Sequence, residues 1–188
     1  MSTFVIADYA DKPDIPLTSA VSCNIIQITN VAQSKEKTLE EWKYYHNPNT
    51  APFERMEHVS RPVIYGIDLE ETEQVAKVSS AKATYKLMLR DQNNNYFYAL
   101  EVEEIPFLHP REKSTNSPLP IPLGGRVMLQ KGTIVHYGMV LLRKHQCNYL
   151  GVDMNSDLAK QLNDGVVKKY IDVMEQQLRA SARPGGTM

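Results

Sequence analysis

The sequence predicts a mainly β protein, in which a small five-stranded barrel carries one long insertion and a C-terminal helix. Five short runs of β-branched and aromatic residues alternate with turn-forming residues, which is typical of strands. A long segment without a strand pattern, residues 32–80, separates the first two runs. Beyond residue 155 the apolar residues recur every four positions, which indicates a helix.

The first three predicted strands cover residues 23–31, 84–91 and 95–102. The second and third are separated only by residues 92–94, Gln-Asn-Asn, and asparagine tolerates left-handed backbone angles. We therefore expect these two strands to form an antiparallel hairpin.

The fourth predicted strand covers residues 126–130 and continues to residue 137 past Gly132, where a glycine indicates a bulge or bend. Gly138 turns the chain into the fifth strand, residues 139–143, and residues 149–152 add a last short pairing. Five short strands and a terminal helix fit a Greek-key barrel of the OB type.

The predicted domain plan divides the chain at changes in pattern. Asn155 and Ser156 are good helix-capping residues, and residues 163–165 interrupt the helical pattern, which gives a short helix and then a longer one. Its apolar stripe either caps the barrel or mediates oligomers. The plan is an irregular leader (1–22), an OB-fold barrel with its insertion (23–152), a helical segment (153–182) and a tail (183–188).

The insertion is acidic and aromatic. Residues 32–80 carry a net charge of −3 within a chain of net charge −1, and they hold the only tryptophan. A capping-box pattern from Thr38 to Glu41 predicts a short helix near residues 39–46, and residues 70–78 form a second candidate.

Long loops usually have a function or are disordered, and disordered segments are poor in aromatic residues. Trp and Tyr dominate protein-interface hot spots, so the insertion is a candidate anchor for a protein partner. The alternative is that these side chains fold back on the barrel as a satellite cluster. The candidate partner-binding residues are Trp42, Tyr44, Tyr45, Phe53 and Met56.

The remaining composition argues against several classes of protein. Near-neutral charge excludes a protein that coats nucleic acid by charge alone. We find neither a signal-peptide pattern nor an apolar run long enough to cross a membrane. Cys23 and Cys147 lie in apolar, strand-like surroundings and are expected to be buried thiols. The five histidines lack metal-ligand spacing, and no nucleophile motif is present, so we predict a non-catalytic protein without metal or cofactor.

Five runs stand out by their order and spacing, namely residues 85–89, 103–109, 125–132, 138–143 and 149–151. Together they resemble the N-terminal OB-fold of the RecQ-mediated genome instability protein 1 family. The resemblance covers about residues 23–162, and its most specific part extends from Gly138 to Gly151.

The resemblance implies a nuclear, non-catalytic partner of topoisomerase III and a RecQ helicase in double Holliday junction dissolution. That family has a long insertion at the same place, which reaches into the topoisomerase gate and modulates its opening and closing. The chain resembles a compact, fungal-like member. The insertion does not match residue by residue, so no contact within it is carried over. Arg143 matches a basic residue on the topoisomerase-facing surface; its alternative role is a solvated charge at a strand end.

The alternative function is a stand-alone single-stranded DNA-binding protein. OB-folds of that kind stack bases on aromatic residues of strands two and three inside a basic groove. Glu101, Glu103 and Glu104 follow directly and are expected to repel phosphate, and packing within the barrel is an alternative role for the two tyrosines. Weak DNA contact inside a complex is compatible with both functions. The candidate nucleic-acid-binding residues are Lys86, Arg90, Tyr96 and Tyr98.

Overall fold

The computed structural model describes residues 4–47, 82–112, 114 and 116–182. The chain divides into two compact units. The first comprises Met1–Val31 and Thr84–Val166, and the second comprises Ala32–Ala83 and Val167–Met188.

The first unit contains one curled sheet with mostly antiparallel pairing. The strand order is β1-β6-β7-β4-β3-β2-β5-β8, and only β4 and β7 run parallel among the described pairs. The strands are β1 Ile15–Pro16, β2 Val21–Asn30, β3 Tyr85–Asp91, β4 Tyr96–Glu101, β5 Arg126–Leu129, β6 Ile134–His136, β7 Met139–Leu142 and β8 Cys147–Gly151.

The core of this unit lies on the inner face of the sheet. Alternate residues of β3 and β4 are buried, as a half-buried strand requires. β2 pairs with β3 on one side and with β5 on the other, and its register shifts between Ile25 and Gln27. Side chains on the inner face include Ile25, Leu87, Leu89, Phe97, Ala99 and Val127.

The predicted hairpin is confirmed. β3 and β4 pair antiparallel, with Met88 opposite Tyr98, and Asn94 adopts the left-handed backbone (φ 62°) that the Asn-rich turn predicted. The buried carboxylate of Asp91 also accepts hydrogen bonds from the backbone amides of Asn93 and Asn95 (2.8 and 2.9 Å). Local turn chemistry therefore fixes the register of this hairpin.

The prediction of five strands was wrong, because the described sheet has eight. The predicted long fourth strand is two strands: β5 ends at Leu129, and Gly132 (φ 91°) lies in the turn before β6 begins at Ile134. β5 pairs with β2 and β8, whereas β6 pairs with β1 and β7. A glycine with positive φ takes the chain out of the ladder, so the continuation joins different neighbours.

The described part of the predicted leader contributes to the first unit. Phe4 is buried and packs edge-on against Phe97, with the ring centroids 5.3 Å apart. A single 3-10 turn follows at Ile6–Tyr9, Leu17 is buried, and β1 pairs with β6.

The helical segment begins and breaks where the sequence predicts. Helix α2, Asp157–Asn163, begins after Ser156, whose hydroxyl oxygen accepts from the amide of Ala159 (3.2 Å). Within the first unit, Asn163 ties this helix to the segment before β5, because its side chain bonds both the amide and the carbonyl of Leu123 (3.0 and 2.8 Å). After Asp164 and Gly165, helix α3 extends over Val166–Ala182.

Helix α1 of the second unit, Lys35–His46, begins earlier than predicted. The cap is Ser34, whose hydroxyl oxygen accepts from the amide of Lys37 (3.3 Å), whereas the Thr38 hydroxyl donates to the carbonyl of Ser34 (2.9 Å). The Thr38–Glu41 capping box was therefore wrong, since Ser34 satisfies the helix start one turn earlier. The second predicted helix, residues 70–78, lies outside the described residues. In the part of the chain that is described, no helix is long and apolar enough to cross a membrane.

Candidate nucleic-acid and partner interfaces

The outer face of β3 and β4 brings together the four predicted nucleic-acid-binding residues. Arg90 lies opposite Tyr96. Lys86 lies four residues before Arg90 in β3 and therefore on the same face of the strand. The side chains of Tyr96 and Tyr98 are 53% and 42% exposed, since strand alternation turns them away from the core. We call this surface, formed by Lys86, Arg90, Tyr96 and Tyr98, the aromatic face.

Lys86 and Tyr98 already interact on the aromatic face. The Lys86 ammonium lies 4.8 Å from the centroid of the Tyr98 ring, which is within cation–π range. At an exposed site such a contact contributes about 0.5–1 kcal/mol. The face therefore presents its positive charge directly above an aromatic ring, as in surfaces that bind stacked bases next to phosphates.

The acidic residues beside this face are not all exposed, contrary to the expectation that they repel phosphate. Glu101 points inward and its side chain is only 4% exposed. Its carboxylate lies 2.8 Å from Nε2 of His109 and accepts from the backbone amide of Ile105 (3.0 Å). The alternation of β4 places Glu101 on the same inner face as Phe97 and Ala99, so counting alternate residues would have revealed its position.

Glu103 is paired as well, and its partner is the predicted topoisomerase-facing Arg143. The guanidinium donates to the Glu103 carboxylate (2.9 Å), and the backbone amide of Lys144 donates to its other oxygen (3.2 Å). The hydrogen bond from Lys144, followed by that from Arg143, lowers the pKa of Glu103. Both partners of the ion pair remain about half exposed (47% each). A role for Arg143 in partner binding stays a prediction.

The predicted partner-binding aromatics occupy different environments. Trp42 is 3% exposed, and its indole stacks on the Tyr170 ring with centroids 4.1 Å apart and planes 8° apart. Tyr44 is 40% exposed, and Tyr45 is half-buried with its ring edge-on to Tyr44 (6.0 Å). Of this set, the two tyrosines are therefore the side chains that α1 presents at its surface. Phe53 and Met56 lie outside the described residues.

The sequence interpretation missed Tyr170 and Glu175, which are the α3 partners of α1. Lys43 Nζ lies 3.2 Å from Glu175 Oε1, next to the Trp42–Tyr170 stack. We call α1 and α3, joined by these two contacts, the helix pair. The apolar stripe of α3 was expected to cap the barrel or to mediate oligomers, and nothing local to either helix identified the other.

Two glycines directly before β5 are required by close packing. A Cβ on Gly125 would lie 2.6 Å from the Tyr149 ring, which also stacks on Phe107 (4.8 Å between centroids). A Cβ on Gly124 would lie 3.0 Å from the Ala159 backbone. Only glycine allows these approaches without a shift of neighbouring atoms.

The cysteines match the prediction of two buried free thiols. Burial, with a smaller contribution from the nearby Asp91 carboxylate, raises the pKa of Cys23 to about 12. Burial and the Glu101 carboxylate raise the pKa of Cys147 to about 11. Neither thiol has the lowered pKa of a reactive cysteine. Within the described ranges, no cluster of three or more His, Cys, Asp or Glu residues is placed to hold a metal ion.

The curled, mainly antiparallel sheet of the first unit, with its aromatic outer face, places the chain in the class of OB-fold proteins. The family model described as RMI1, N-terminal OB-fold domain, matches residues 5–164. The chain belongs to this family, which is a non-catalytic OB-fold scaffold family of genome maintenance. A search of curated proteins found no match.

Proposed function

We propose that this chain is the non-catalytic scaffold and regulatory subunit of a complex with topoisomerase III and a RecQ helicase. In this role it binds the topoisomerase and promotes double Holliday junction dissolution and decatenation. Its site of action would be the nucleus. Family membership supports a role in a genome-maintenance complex.

One observation supports the regulatory part of the proposal in particular. In the sequence, the insertion lies between β2 and β3, and its described helix α1 belongs with α3 to a compact unit other than the one that contains the sheet. A separate unit at this position is suited to act on the partner's gate while the OB-fold carries the docking surface.

The experiment is affinity capture of topoisomerase III by the full chain and by a variant that lacks residues 35–78. Both are expected to retain the topoisomerase, whereas only the full chain alters the rate of decatenation. Failure of the full chain to retain the enzyme would refute the scaffold role. Equal decatenation with the two chains would refute the role of the insertion.

Arg143 is tested with a matched pair of variants. Arg143→Ala and Glu103→Gln both weaken the same surface ion pair, but only the first removes the proposed partner contact. We expect topoisomerase binding to weaken by about tenfold in Arg143→Ala, equivalent to about 1.4 kcal/mol, and to remain unchanged in Glu103→Gln. Similar losses in both variants would assign the effect to the ion pair instead.

The aromatic face supports a second candidate function, direct binding of single-stranded DNA. The face matches the strand 2–3 surface that OB-folds use for oligonucleotides. Of the nearby carboxylates, Glu101 is buried against His109 and Glu103 is paired with Arg143. Submicromolar binding of a short oligonucleotide that is lost in Tyr96→Ala/Tyr98→Ala, but kept in Tyr137→Ala, would favour this function. Tyr137 is an equally exposed tyrosine on the β6–β7 turn (57%).

A further inference from the structure

Helix α3 contacts α1, the first helix of the insertion, although strands β3 to β8 lie between the two helices in the sequence. Trp42 of α1 stacks on Tyr170 of α3, and Lys43 of α1 pairs with Glu175 of α3. The family match ends at residue 164, before α3 begins at Val166. The contact is therefore made by a helix outside the matched domain.

The two contacts lie at different heights along α3. Tyr170 and Glu175 are five residues apart, so their Cα atoms are separated by about 7.5 Å along the helix axis. A single ring stack would leave α1 free to rotate about that point. A second contact at another height fixes the rotation and the axial register of α1 against α3.

The stack and the ion pair differ in what they contribute. Trp42 is almost completely buried, so the aromatic contact removes a large apolar surface from water. The Lys43–Glu175 pair is partly exposed (49% and 32%), and pairs of this kind contribute little to stability. Its consequence is orientation, because it selects one angular setting of the two helices.

We propose that α3 is a positioning element for the insertion, with Tyr170 and Glu175 as the positioning residues. α1 is the described part of the insertion before residue 48, so the register of α1 on α3 sets where and in which direction the chain leaves α1. This inference rests on the proposed regulatory function of the insertion. If the insertion regulates decatenation, α3 is required for that effect, although α3 lies outside the matched domain.

The contact is measured directly by fluorescence, since Trp42 is the only tryptophan of the chain. In Tyr170→Ala, we expect a red-shifted emission and a severalfold increase in acrylamide quenching. Tyr170→Phe keeps the ring and is expected to match the unmodified chain. Gln177→Ala, an exposed residue of the same helix, is the matched control and should change neither quantity.

Two further measurements separate a local effect from unfolding. Far-UV circular dichroism of Tyr170→Ala should retain the sheet signal. Glu175→Lys should raise quenching, because it places a like charge beside Lys43. Glu175 also lies 3.8 Å from Arg179 of its own helix, so Arg179→Ala is the control and should leave quenching unchanged. Quenching in Tyr170→Ala equal to that of the unmodified chain would overturn the proposal.

The functional arm compares Tyr170→Ala with the 35–78 deletion in decatenation by topoisomerase III. We expect both to lose the effect on decatenation while both retain binding of the enzyme, and Tyr170→Phe to keep both properties. If the deletion loses the effect and Tyr170→Ala does not, the positioning role fails and the proposed function stands. If the deletion itself has no effect, the proposed function fails and the positioning of the insertion for decatenation fails with it; the quenching data then decide only whether α3 holds α1.

Discussion

The sheet and the helix pair differ in how far apart in sequence their defining contacts lie. In the hairpin, Arg90 and Tyr96 face each other across a turn of a few residues. In the helix pair, Trp42 meets Tyr170 across most of the chain. Local patterns therefore determine which residues face outward from the sheet. The burial of Trp42, in contrast, depends on a helix that is distant in the sequence.

The largest expected difference between the two regions is in thiol reactivity. With the pKa of Cys23 raised from 9.0 to about 12, its thiolate fraction is lowered by about a thousandfold at about pH 8. Ellman's reagent should therefore leave Cys23 and Cys147 unmodified in the folded chain. An engineered Val173→Cys on the exposed side of α3 should react within the mixing time. Rapid reaction of the native cysteines would contradict their burial in the sheet.

The same shift gives a pH dependence with a definite sign. A raised pKa means that the folded chain holds the Cys23 proton more tightly than the unfolded chain does. This contribution to stability is complete below the ordinary pKa of 9.0 and is lost as pH rises toward about 12. Cys23→Ala should therefore show a shallower loss of stability over this alkaline range in urea denaturation.

Core packing in the sheet provides the next largest effect. Leu87 is completely buried on the inner face of β3, so Leu87→Ala is expected to lower the free energy of unfolding by about 2–5 kcal/mol. Leu100 lies on the outer face of β4 and is the control, because Leu100→Ala leaves no enclosed cavity and should cost less. Urea titration followed by circular dichroism measures both. Equal losses would show that the alternation does not separate core from surface.

The buried carboxylate of Glu101 provides an intermediate effect. The carboxylate accepts from two backbone amides, those of Tyr85 and Ile105 (3.4 and 3.0 Å). Glu101→Gln leaves only one acceptor oxygen for these two donors, and it weakens the bond to His109. Loss of a hydrogen bond to a charged group costs about 1.5–3 kcal/mol. Glu103→Gln on the neighbouring surface is the control and should lower the free energy of unfolding by less, because the bonds that it weakens to Arg143 and Lys144 are solvent-exposed. If Glu101→Gln left the free energy of unfolding unchanged, the hydrogen bonds of this carboxylate would not contribute to stability.

The smallest expected effect is in the helix pair. A double-mutant cycle of Lys43→Ala and Glu175→Ala should give a coupling of about 0.2–1 kcal/mol, as for other partly exposed ion pairs. Coupling above this range would make the ion pair a main source of stability rather than of orientation. Trp42 fluorescence during urea unfolding measures the free energy of unfolding of this unit for each variant of the cycle.

Much of the sheet could be predicted because its determinants are local. Asn94 and the alternation of residues 85–101 specify the hairpin, and Ser156 and Gly165 specify the beginning of α2 and the break before α3. Gly132 was misinterpreted because a bend and a strand end require the same glycine. Ser34 and Thr38 are both capping residue types one turn apart, so the sequence alone did not select the helix start.

The candidate sites were less predictable, because they depend on pairings across the chain. Arg143 and Glu103 meet across forty residues, and Tyr170 covers Trp42 from another helix. The prediction that Trp42 is an interface hot spot assumes that its side chain is exposed. The residues next to it in the sequence do not indicate whether it is exposed or buried. Only the position of Glu101 was available locally, from its place in the alternation of β4.

Sedimentation velocity of the full chain mixed with topoisomerase III tests the central claim most directly. The account predicts a single heavier boundary that contains both proteins at equal molar amounts and that persists when residues 35–78 are deleted. Two independent boundaries, each at the position of the separate protein, would contradict the claim that this OB-fold chain is a scaffold for the topoisomerase.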